Sequence, residues 1–264
     1  MQSGAGAGLT AEQARAAAMG QKGMMPLPGP DGRLRPFLDY VLSELADAGF
    51  VDVALVVPPA PTGGRAQPLR EYYAGGGAPT RVRISFVVQE DARGTADAVA
   101  SAASWIGERP FVVLNADNLY GVAALNALRG ADGPALPVYE RDDLVHTSGI
   151  PPERVGSFAL LDLTPDGYLA DIIEKPGIEA VDAAGPHALI SMNCWRGDSS
   201  VLQACRDVPV SPRGEYELPS AIRLAITRGT QIQAIAARGP VLDLSRPEDV
   251  AFVMERLQHV EARP

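Results

Sequence analysis

The sequence has few of the residues that support covalent or zinc chemistry. It contains two cysteines, Cys194 and Cys205, and three histidines among 264 residues. Cys194 stands in an apolar run and Cys205 in a predicted helix, without the spacing of a metal site, so we expect buried or incidental thiols. The histidines lack the spacing of a triad or a zinc site, and no Gly-x-Ser-x-Gly motif occurs. These absences exclude hydrolases and metalloproteases.

Long apolar runs and an excess of basic residues are also missing. No run approaches the ~18 apolar residues of a membrane span, and the N-terminus has no charged region followed by an apolar stretch. We therefore expect a cytoplasmic protein without a membrane partner. The formal net charge is −9, from 32 acidic and 23 basic residues, which disfavours a nucleic-acid partner. Small anionic substrates remain open, because local Lys or Arg residues or a metal ion can reverse the field in one cleft.

The composition is that of an ordinary globular protein with a sizeable core. Hydrophobic residues make up 46% of the chain and charged residues 21%. A doubly wound α/β domain often reaches this length, so we predict one domain over residues 1–264. Residues 1–20 form an atypical N-terminal segment, in which a Gly- and Ala-rich stretch precedes a helix capped by Thr10.

Helices and apolar strands alternate in the first half. Apolar residues recur at helical spacing between Pro36 and Gly49, and a β-branched run follows at 51–58. Strands are also predicted at 81–90 and 110–118, joined by a helix, whereas 60–80 is predicted to be a surface excursion. This order predicts right-handed crossovers in a Rossmann-like α/β fold, with a mostly parallel mixed sheet flanked by helices. Ligands of such folds gather beyond the carboxyl ends of the strands.

The second half predicts an antiparallel hairpin inserted into the sheet. Segments 156–163 and 168–176 flank the turn signal at 165–167. A further strand is predicted at 188–195, and the chain closes with a helix at about 247–260. No internal repeat is found.

Two acids are candidate metal ligands. Asp117 follows the apolar strand at 111–114, and Asp243 lies inside the apolar run 241–244. Strand-end aspartates often bind Mg²⁺, which prefers hard oxygen ligands and keeps waters and substrate phosphates as its other ligands, and the two acids could share one ion. Alternatively, Asp117 caps the next helix and Asp243 bonds to a neighbouring helix start.

Basic residues in two places could bind an anion. Lys175 follows Glu174 at the end of the predicted hairpin, where it could hold a phosphate as a point charge. Lys22 stands among small and apolar residues and could project into an anionic site. Both patterns also fit ordinary solvated surface lysines.

The loop at 89–95 could bind a base or an anion. Gln89 offers a side-chain amide, and the Gly94–Thr95 step offers backbone N–H groups at a helix N-terminus. Taken alone, the pattern also fits an ordinary loop between a strand and a helix.

The order of these motifs is more specific than any one of them. Lys-x-x-x-Pro at 22–26 is followed by QE(x)₃GTADAV at 89–99, NADN at 115–118 and Gly156. EKP at 174–176, RGEYEL at 213–218 and VLDLSRPED at 241–249 come next. In this order the chain resembles the sugar-phosphate nucleotidylyltransferases (NDP-sugar pyrophosphorylases), from about Lys22 to the C-terminal helix.

The resemblance implies a GT-A-like nucleotidyltransferase fold and a role for each motif. Lys22 would contact phosphate, Gln89 and Gly94 would read the base, and Asp117 and Asp243 would hold Mg²⁺. The segment at about 140–195 would be the sugar-binding hairpin region. The remaining residues implied in binding the substrates are Gly156, Glu174, Lys175, Thr95, Asn118 and Glu215. Lys22, Asp117 and Lys175 would be the catalytic groups.

The implied reaction joins a nucleoside triphosphate to a sugar 1-phosphate, or to a similar cyclitol phosphate. It yields an NDP-sugar and pyrophosphate. The chemistry consists of aligning two anions and neutralising charge with Mg²⁺ and Lys, so no nucleophilic triad is needed.

The sequence departs from the family at its beginning. The family opens with a strand and a Gly-rich GxGTRxxP loop that holds the triphosphate, and nothing here matches that loop. GAGAG at 4–8 lacks a preceding apolar strand, so we interpret it as a linker. This departure raises a second hypothesis, a catalytically silent relative that binds a nucleotide or an NDP-sugar and regulates a partner.

A third hypothesis is a metal-dependent GT-A glycosyltransferase. Such enzymes usually carry a paired Asp-x-Asp, whereas the segment 115–117 has only Asp117. The base and the sugar stay open. The C-terminal helices could form a homo-oligomeric interface.

Overall fold

The computed structural model describes residues 9–59 and 66–264. The predicted linker at 4–8 and part of the predicted excursion at 60–80 lie outside these ranges. The helices are α1 (Ala11–Ala18), α2 (Phe37–Asp47), α3 (Gln67–Ala74), α4 (Thr95–Ser101), α5 (Ala103–Ile106), α6 (Val122–Gly130), α7 (Arg141–Ser148), α8 (Ile178–Ala184), α9 (Ser199–Asp207), α10 (Leu218–Thr227) and α11 (Asp249–Leu257). Short 3₁₀ helices span Lys22–Met24 and Pro152–Ser157.

The strands build one larger sheet and three two-stranded pairs. They are β1 (Pro26–Pro28), β2 (Leu34–Pro36), β3 (Asp52–Val57), β4 (Arg83–Val88), β5 (Phe111–Val113), β6 (Asn118–Leu119), β7 (Ala135–Glu140), β8 (Ala159–Leu163), β9 (Leu169–Ile173), β10 (Leu189–Ser191), β11 (Trp195–Gly197), β12 (Gln233–Ala237) and β13 (Leu242–Asp243). The larger sheet has the order β5-β11-β7-β10-β8-β9, with β12 beside β7, and the pairs are β1–β2, β3–β4 and β6–β13.

The predicted α/β architecture with an inserted antiparallel hairpin is confirmed. Strands β8 and β9 form that hairpin, with Leu160 opposite Ile173. The expectation of mostly parallel pairing is wrong, however: in the described part of the chain only β3–β4 and β7–β12 pair in parallel. The cause is that the consecutive strands β10 and β11 both pair with β7 and both run antiparallel to it. Strand β11 thereby separates β5 from β7.

The larger sheet lies between two apolar clusters. Tyr139 of β7 and Leu160 of β8 belong to the cluster that contains α2, while their neighbours Val138 and Leu161 belong to the cluster that contains α4, α9 and α10. Because successive side chains of a strand point to opposite faces, this alternation shows that both faces of the sheet are covered. Helices on both faces are the arrangement that the alternating pattern predicts.

Two observations bear on the cysteines and on the membrane. Cys194 and Cys205 are both free and buried, as expected. Burial raises the pKa of both thiols, that of Cys205 to about 12, so neither is reactive near neutral pH. Among the described helices, none combines the length and the apolar character that crossing a membrane requires.

A buried carboxylate joins α2 to α3. Asp39 is 2% exposed and accepts hydrogen bonds from the hydroxyls of Tyr72, at 2.7 Å, and Tyr73, at 2.8 Å. Burial raises the pKa of Asp39, while the two hydroxyl donors act in the opposite direction. The phenols therefore compensate part of the cost of burying this carboxylate.

We expect Tyr73→Phe to destabilise the protein by about 1.5–3 kcal/mol, because it removes a hydrogen bond to a buried charged group. Tyr40→Phe is the matched control, since the Tyr40 hydroxyl is buried without a hydrogen-bond partner. That substitution should be neutral or slightly stabilising. Urea denaturation of both variants tests the pair, and equal effects would show that the bond to Asp39 is not stabilising.

Candidate active site

Lys22 and Asp117 meet beyond the end of β5. Lys22 Nζ lies 3.3 Å from Asp117 Oδ2, and the two side chains are 38% and 24% exposed. The turns that carry them pack closely, since a Cβ at Gly23 would lie 3.4 Å from the backbone oxygen of Ala116. The sequence predicted both residues as site groups, and the structure places them together with access to solvent.

Asp243 lies in β13, next to the turn that carries Asp117. β6 and β13 pair antiparallel with Asn118 opposite Asp243, and the Leu244 N–H donates to the Asp117 backbone oxygen at 2.8 Å. Both Asn118 and Asp243 are buried. Asp243 therefore lies in β13, while Asp117 lies in the turn immediately before β6, so the two acids predicted to share a metal are held on neighbouring backbone segments.

Arg154 already neutralises Asp243. Its guanidinium contacts Asp243, and it also lies 2.5 Å from Asp249 Oδ1, while Ser245 donates to Asp243 as well. Burial raises the pKa of Asp243, and the bonds from Ser245 and Arg154 offset part of that shift. Arg154 was not among the predicted site residues, because an arginine in a Pro-rich turn is usually solvated.

Gln89 is held in place by the loop that follows it. Its Nε2 donates to the Gly94 backbone oxygen at 3.1 Å and to Asp97 Oδ2 at 2.8 Å. Asp97 also pairs with Arg93 at 2.6 Å, and the Arg93 guanidinium lies over the Tyr216 ring. Both donor hydrogens of the Gln89 amide are thus used, which leaves the amide oxygen as the group for a ligand.

The loop at 89–95 is bonded to the segment at 213–218. The Tyr216 N–H donates to the Arg93 oxygen at 2.8 Å, and the Ala96 N–H donates to the Tyr216 oxygen at 2.9 Å. The Thr95 hydroxyl accepts from the Leu218 N–H at 2.9 Å. Thr95 was predicted as a substrate contact, and in this structure its hydroxyl oxygen holds the start of α10.

Gly94 cannot carry a side chain in this arrangement. Its φ is +123°, and a Cβ there would lie 2.4 Å from the Tyr216 backbone oxygen. We expect Gly94→Ala to cost about 1–3 kcal/mol from backbone strain, with the steric clash in addition. Gly130→Ala at the end of α6 is the control, because a Cβ meets nothing within 4 Å and α-helical backbone favours Ala. Urea denaturation should separate the two variants, and a neutral Gly94→Ala would contradict the prediction.

The end of the hairpin packs against the turn that contains Gly156. The Gly177 N–H donates to the Gly156 oxygen at 3.1 Å, and a Cβ at Gly156 would lie 2.4 Å from the Ile178 nitrogen. Gly156 therefore lets the backbone after EKP approach closely. Lys175, in this segment, is exposed and has a φ of +49°.

Glu174 lies in a half-buried group of charges. Its Oε2 is buried without a hydrogen-bond partner, and burial raises its pKa against the lowering effect of Lys175 and Arg213. Arg213 in turn lies 2.6 Å from Glu217 Oε1. Glu217 is buried, whereas the predicted Glu215 is exposed. Glu217 is thus the acid of this segment that raises the pKa of Glu174, and it was not among the predicted site residues.

The predicted residues fall into three groups. Lys22 and Asp117 form the first group, the loop at 89–95 the second, and the EKP segment with Gly156 the third. The segment at 213–218 is bonded to the second group through Tyr216 and acts on Glu174 of the third group through the charges of Arg213 and Glu217. Arg154, from the same 3₁₀ turn as Gly156, pairs with Asp243. In the described ranges no three His, Cys, Asp or Glu side chains come together as a metal cage.

The protein is thus an α/β protein in which the Lys22–Asp117 pair and the hydrogen-bonded amide of Gln89 lie beyond the ends of the strands. The chain matches the sequence model of the nucleotidyl transferase family over residues 27–253. It therefore belongs to the nucleotidyl transferase family.

Curated relatives carry names of sugar-nucleotide enzymes. The UTP–glucose-1-phosphate uridylyltransferase AglF of Haloferax volcanii is 25% identical over 241 residues, which cover 90% of this chain and 88% of AglF. A glucose-1-phosphate thymidylyltransferase of Streptomyces antibioticus is 28% identical over 222 residues, covering 83% of this chain and 56% of the relative. The low-salt glycan biosynthesis nucleotidyltransferase Agl11 of H. volcanii is 25% identical, with 82% and 56% covered. The chain thus spans little more than half the length of the last two.

Solved structures support the fold. Apo-UDP-glucose pyrophosphorylase is similar with a TM-score of 0.64 and 18% identity, over 89% of this chain and 91% of that one. UDP-glucose pyrophosphorylase from Acinetobacter baumanii is similar with a TM-score of 0.63 and 19% identity, over 89% and 85%. The expected nucleotidyltransferase α/β fold is confirmed.

Proposed function

We propose that this chain transfers a nucleoside monophosphate from a nucleoside triphosphate to a sugar 1-phosphate or a similar cyclitol phosphate. The products are an NDP-sugar and pyrophosphate. The observation that carries the proposal is the partly exposed Lys22–Asp117 pair beyond the end of β5, with 3.3 Å between Lys22 Nζ and Asp117 Oδ2, in a chain of the nucleotidyl transferase family. The names of AglF and the thymidylyltransferase support the same reaction class.

The proposed reaction needs no nucleophilic side chain. An oxygen of the sugar 1-phosphate attacks the α-phosphorus, a new P–O bond forms, and the bond from the α-phosphorus to the oxygen bridging to the β-phosphorus breaks. Pyrophosphate leaves with that oxygen. Because both substrates are anions in a chain of net charge −9, local cations must offset their repulsion. Lys22 and Lys175 are the lysines that we assign to this role.

The residues present fit a divalent cation, and we propose Mg²⁺. Asp117 offers a partly exposed carboxylate beside Asn118, and Mg²⁺ is commonly held by one or two carboxylates plus substrate phosphates. Bound Mg²⁺ would neutralise phosphate charge in the reaction. Asp243 is the weaker ligand of the two, because its carboxylate is buried and already bonded to Arg154 and Ser245.

The other predicted residues are proposed to orient the substrates. Gln89 presents its amide oxygen to the base, next to Gly94 and Thr95 at the start of α4. Glu174 has a buried oxygen without a partner, which suits a sugar hydroxyl donor. Glu215 is proposed to contact substrate from its exposed position. A cytoplasmic location and a homo-oligomer remain predictions.

One assay tests the proposed function. The purified protein is incubated with Mg²⁺, glucose 1-phosphate and each common nucleoside triphosphate in turn, and pyrophosphate release is followed with and without EDTA. We expect release with one triphosphate, which then identifies the base, and its loss on adding EDTA or omitting the sugar phosphate. The assay is repeated with other sugar 1-phosphates and with inositol phosphate.

A silent nucleotide-binding relative is the second candidate. The pairing of Asp243 with Arg154 favours it, because that pairing occupies one of the two predicted metal ligands. Nucleotide binding by calorimetry without pyrophosphate release from any of the phosphates would support this candidate and contradict the transferase.

A further inference from the structure

A cleft separates β3 from β5. β3 pairs with β4 along one edge, and β5 pairs with β11 along one edge. Within the described residues neither strand has a partner on its other edge. The cleft has a volume of about 550 Å³ and is lined by residues 51–57 and 110–116. Two strand edges without ladder partners therefore line the same space.

The cleft passes through the sheet from one helical layer to the other. Leu38 and Leu42 of α2 line one side, and Val99 and Ile106 of α4 and α5 line the opposite side. The first two belong to one apolar cluster and the last two to the other. An occupant in the plane of the sheet would contact apolar side chains on both of its faces. Val56 of β3 is meanwhile 38% exposed.

The backbone of β3 presents hydrogen-bonding groups to the cleft. The Arg83 N–H donates to the Val51 oxygen at 2.7 Å, and the Gln89 N–H donates to the Val57 oxygen at 2.9 Å. Odd-numbered residues of this strand thus direct their backbone groups toward β4. Because these directions alternate along a strand, Asp52, Ala54 and Val56 direct their N–H and C=O groups toward the cleft. Apolar ligands such as acyl chains cannot satisfy such groups.

We propose that this cleft binds an extended β-strand of another polypeptide segment, inserted between β3 and β5. The strand would be about as long as β3, which has six residues. It would be a continuous β-branched or aliphatic run, because both of its faces would be buried. Backbone hydrogen bonds to both edges supply the recognition, and the two helical layers select apolar side chains.

The alternatives within this chain fit less well. Residues 1–8 and 60–65 contain no run of β-branched residues. Each described strand already has a partner, so a second copy would have to break a strand pair to fill the cleft with one of them. We therefore assign the cleft to a separate strand-forming segment.

Hydrogen exchange with a synthetic peptide tests this proposal. The peptide carries a run of Val, Ile and Ala as long as β3, with lysines at both ends for solubility. Its control has the same side chains and charge but N-methyl groups on alternate amides, which block hydrogen bonding. We expect the first peptide to slow exchange at Ala54 and Val56 by at least about tenfold, and the control to have no such effect. No nucleotide is present, so the outcome is independent of catalysis.

A substitution in β3 provides a second test. Ala54→Pro removes an N–H directed at the cleft and leaves the β3–β4 bonds, which the odd-numbered residues make. We expect an unchanged circular dichroism spectrum and loss of the peptide's protection of residues 112–114. If this variant fails to fold, the comparison of the two peptides on the unaltered protein still decides the question.

Three results would overturn the proposal. Equal protection by the N-methylated peptide or by decanoate would show nonspecific apolar binding. Protection that rises with protein concentration without peptide would identify a second copy as the occupant. Absence of protection at saturating peptide would show that the cleft does not accept a strand.

Discussion

Asp117→Asn is expected to lower kcat/KM for pyrophosphate release by about 10²–10³-fold, the range typical for losing one preorganised electrostatic group. Asparagine keeps the shape of the side chain but removes the negative charge that faces Lys22 and that would hold Mg²⁺. Stability should change by only about 0–1 kcal/mol, because the pair is partly exposed. The pyrophosphate-release assay should therefore show a large loss for this variant, while urea denaturation should show almost no change in its stability.

Asp132→Asn is the control for this substitution. Asp132 is exposed on the loop between α6 and β7, and the same chemical change there should alter neither activity nor stability. A loss of less than about tenfold in Asp117→Asn, equal to about 1.4 kcal/mol of barrier, would remove Asp117 from the catalytic groups. An equal loss in both variants would point to net charge as the cause.

Arg154→Met should destabilise the protein by about 3–5 kcal/mol, because it leaves Asp243 buried without its counter-ion. The side chains of Arg154 and Asp243 are 6% and 1% exposed, so solvent cannot take over the role of the guanidinium. Arg228→Met is the control: Arg228 pairs with Asp207 at the surface, at 47% and 35% exposure, so its loss should change the stability little. Urea denaturation measures both, and equal effects would contradict the prediction.

The effect of Arg154→Met should also depend on pH. Burial already raises the folded-state pKa of Asp243 above its unfolded value, so the folded protein binds a proton on this carboxyl at a higher pH than the unfolded chain does. The contribution of this protonation to the free energy of unfolding is complete below the unfolded-state pKa of Asp243, and it is lost as the pH rises through the folded-state pKa. Without Arg154 the folded pKa rises further, so the variant should lose less stability at pH 5 than at pH 8. Adding Asp243→Asn to Arg154→Met should remove this pH difference.

The sequence predicted the positions of the strand ends better than their partners. It indicated Asp117 and Gln89 because each follows an apolar run, and a polar residue directly after a buried strand lies beyond the carboxyl end of the sheet. It could not indicate that β11 inserts between β5 and β7, since the neighbours of a strand depend on crossovers that leave no local pattern. The expectation of mostly parallel pairing failed for that reason.

The missed residues were charged groups in irregular segments. Arg154 stands in a Pro-rich turn, where an arginine is usually solvated, and only the approach of β13 buries it. Glu215 and Glu217 are two residues apart in a segment without regular periodicity, so no pattern tells which one points inward. The bonds from Ser211 and Arg213 to Glu217 decide it, and such contacts require the folded backbone.

The reciprocal backbone hydrogen bonds of Tyr216 couple the mobility of two loops. The Tyr216 N–H donates to the Arg93 oxygen, and the Tyr216 oxygen accepts from the Ala96 N–H. We therefore expect the loop at 89–95 and the segment at 213–218 to order or loosen together. A ligand that immobilises the loop at 89–95 would also order the segment at 213–218, so a second ligand at that segment would lose less conformational entropy on binding. Two ligands that contact the two segments would then bind with positive cooperativity, even when they never touch each other.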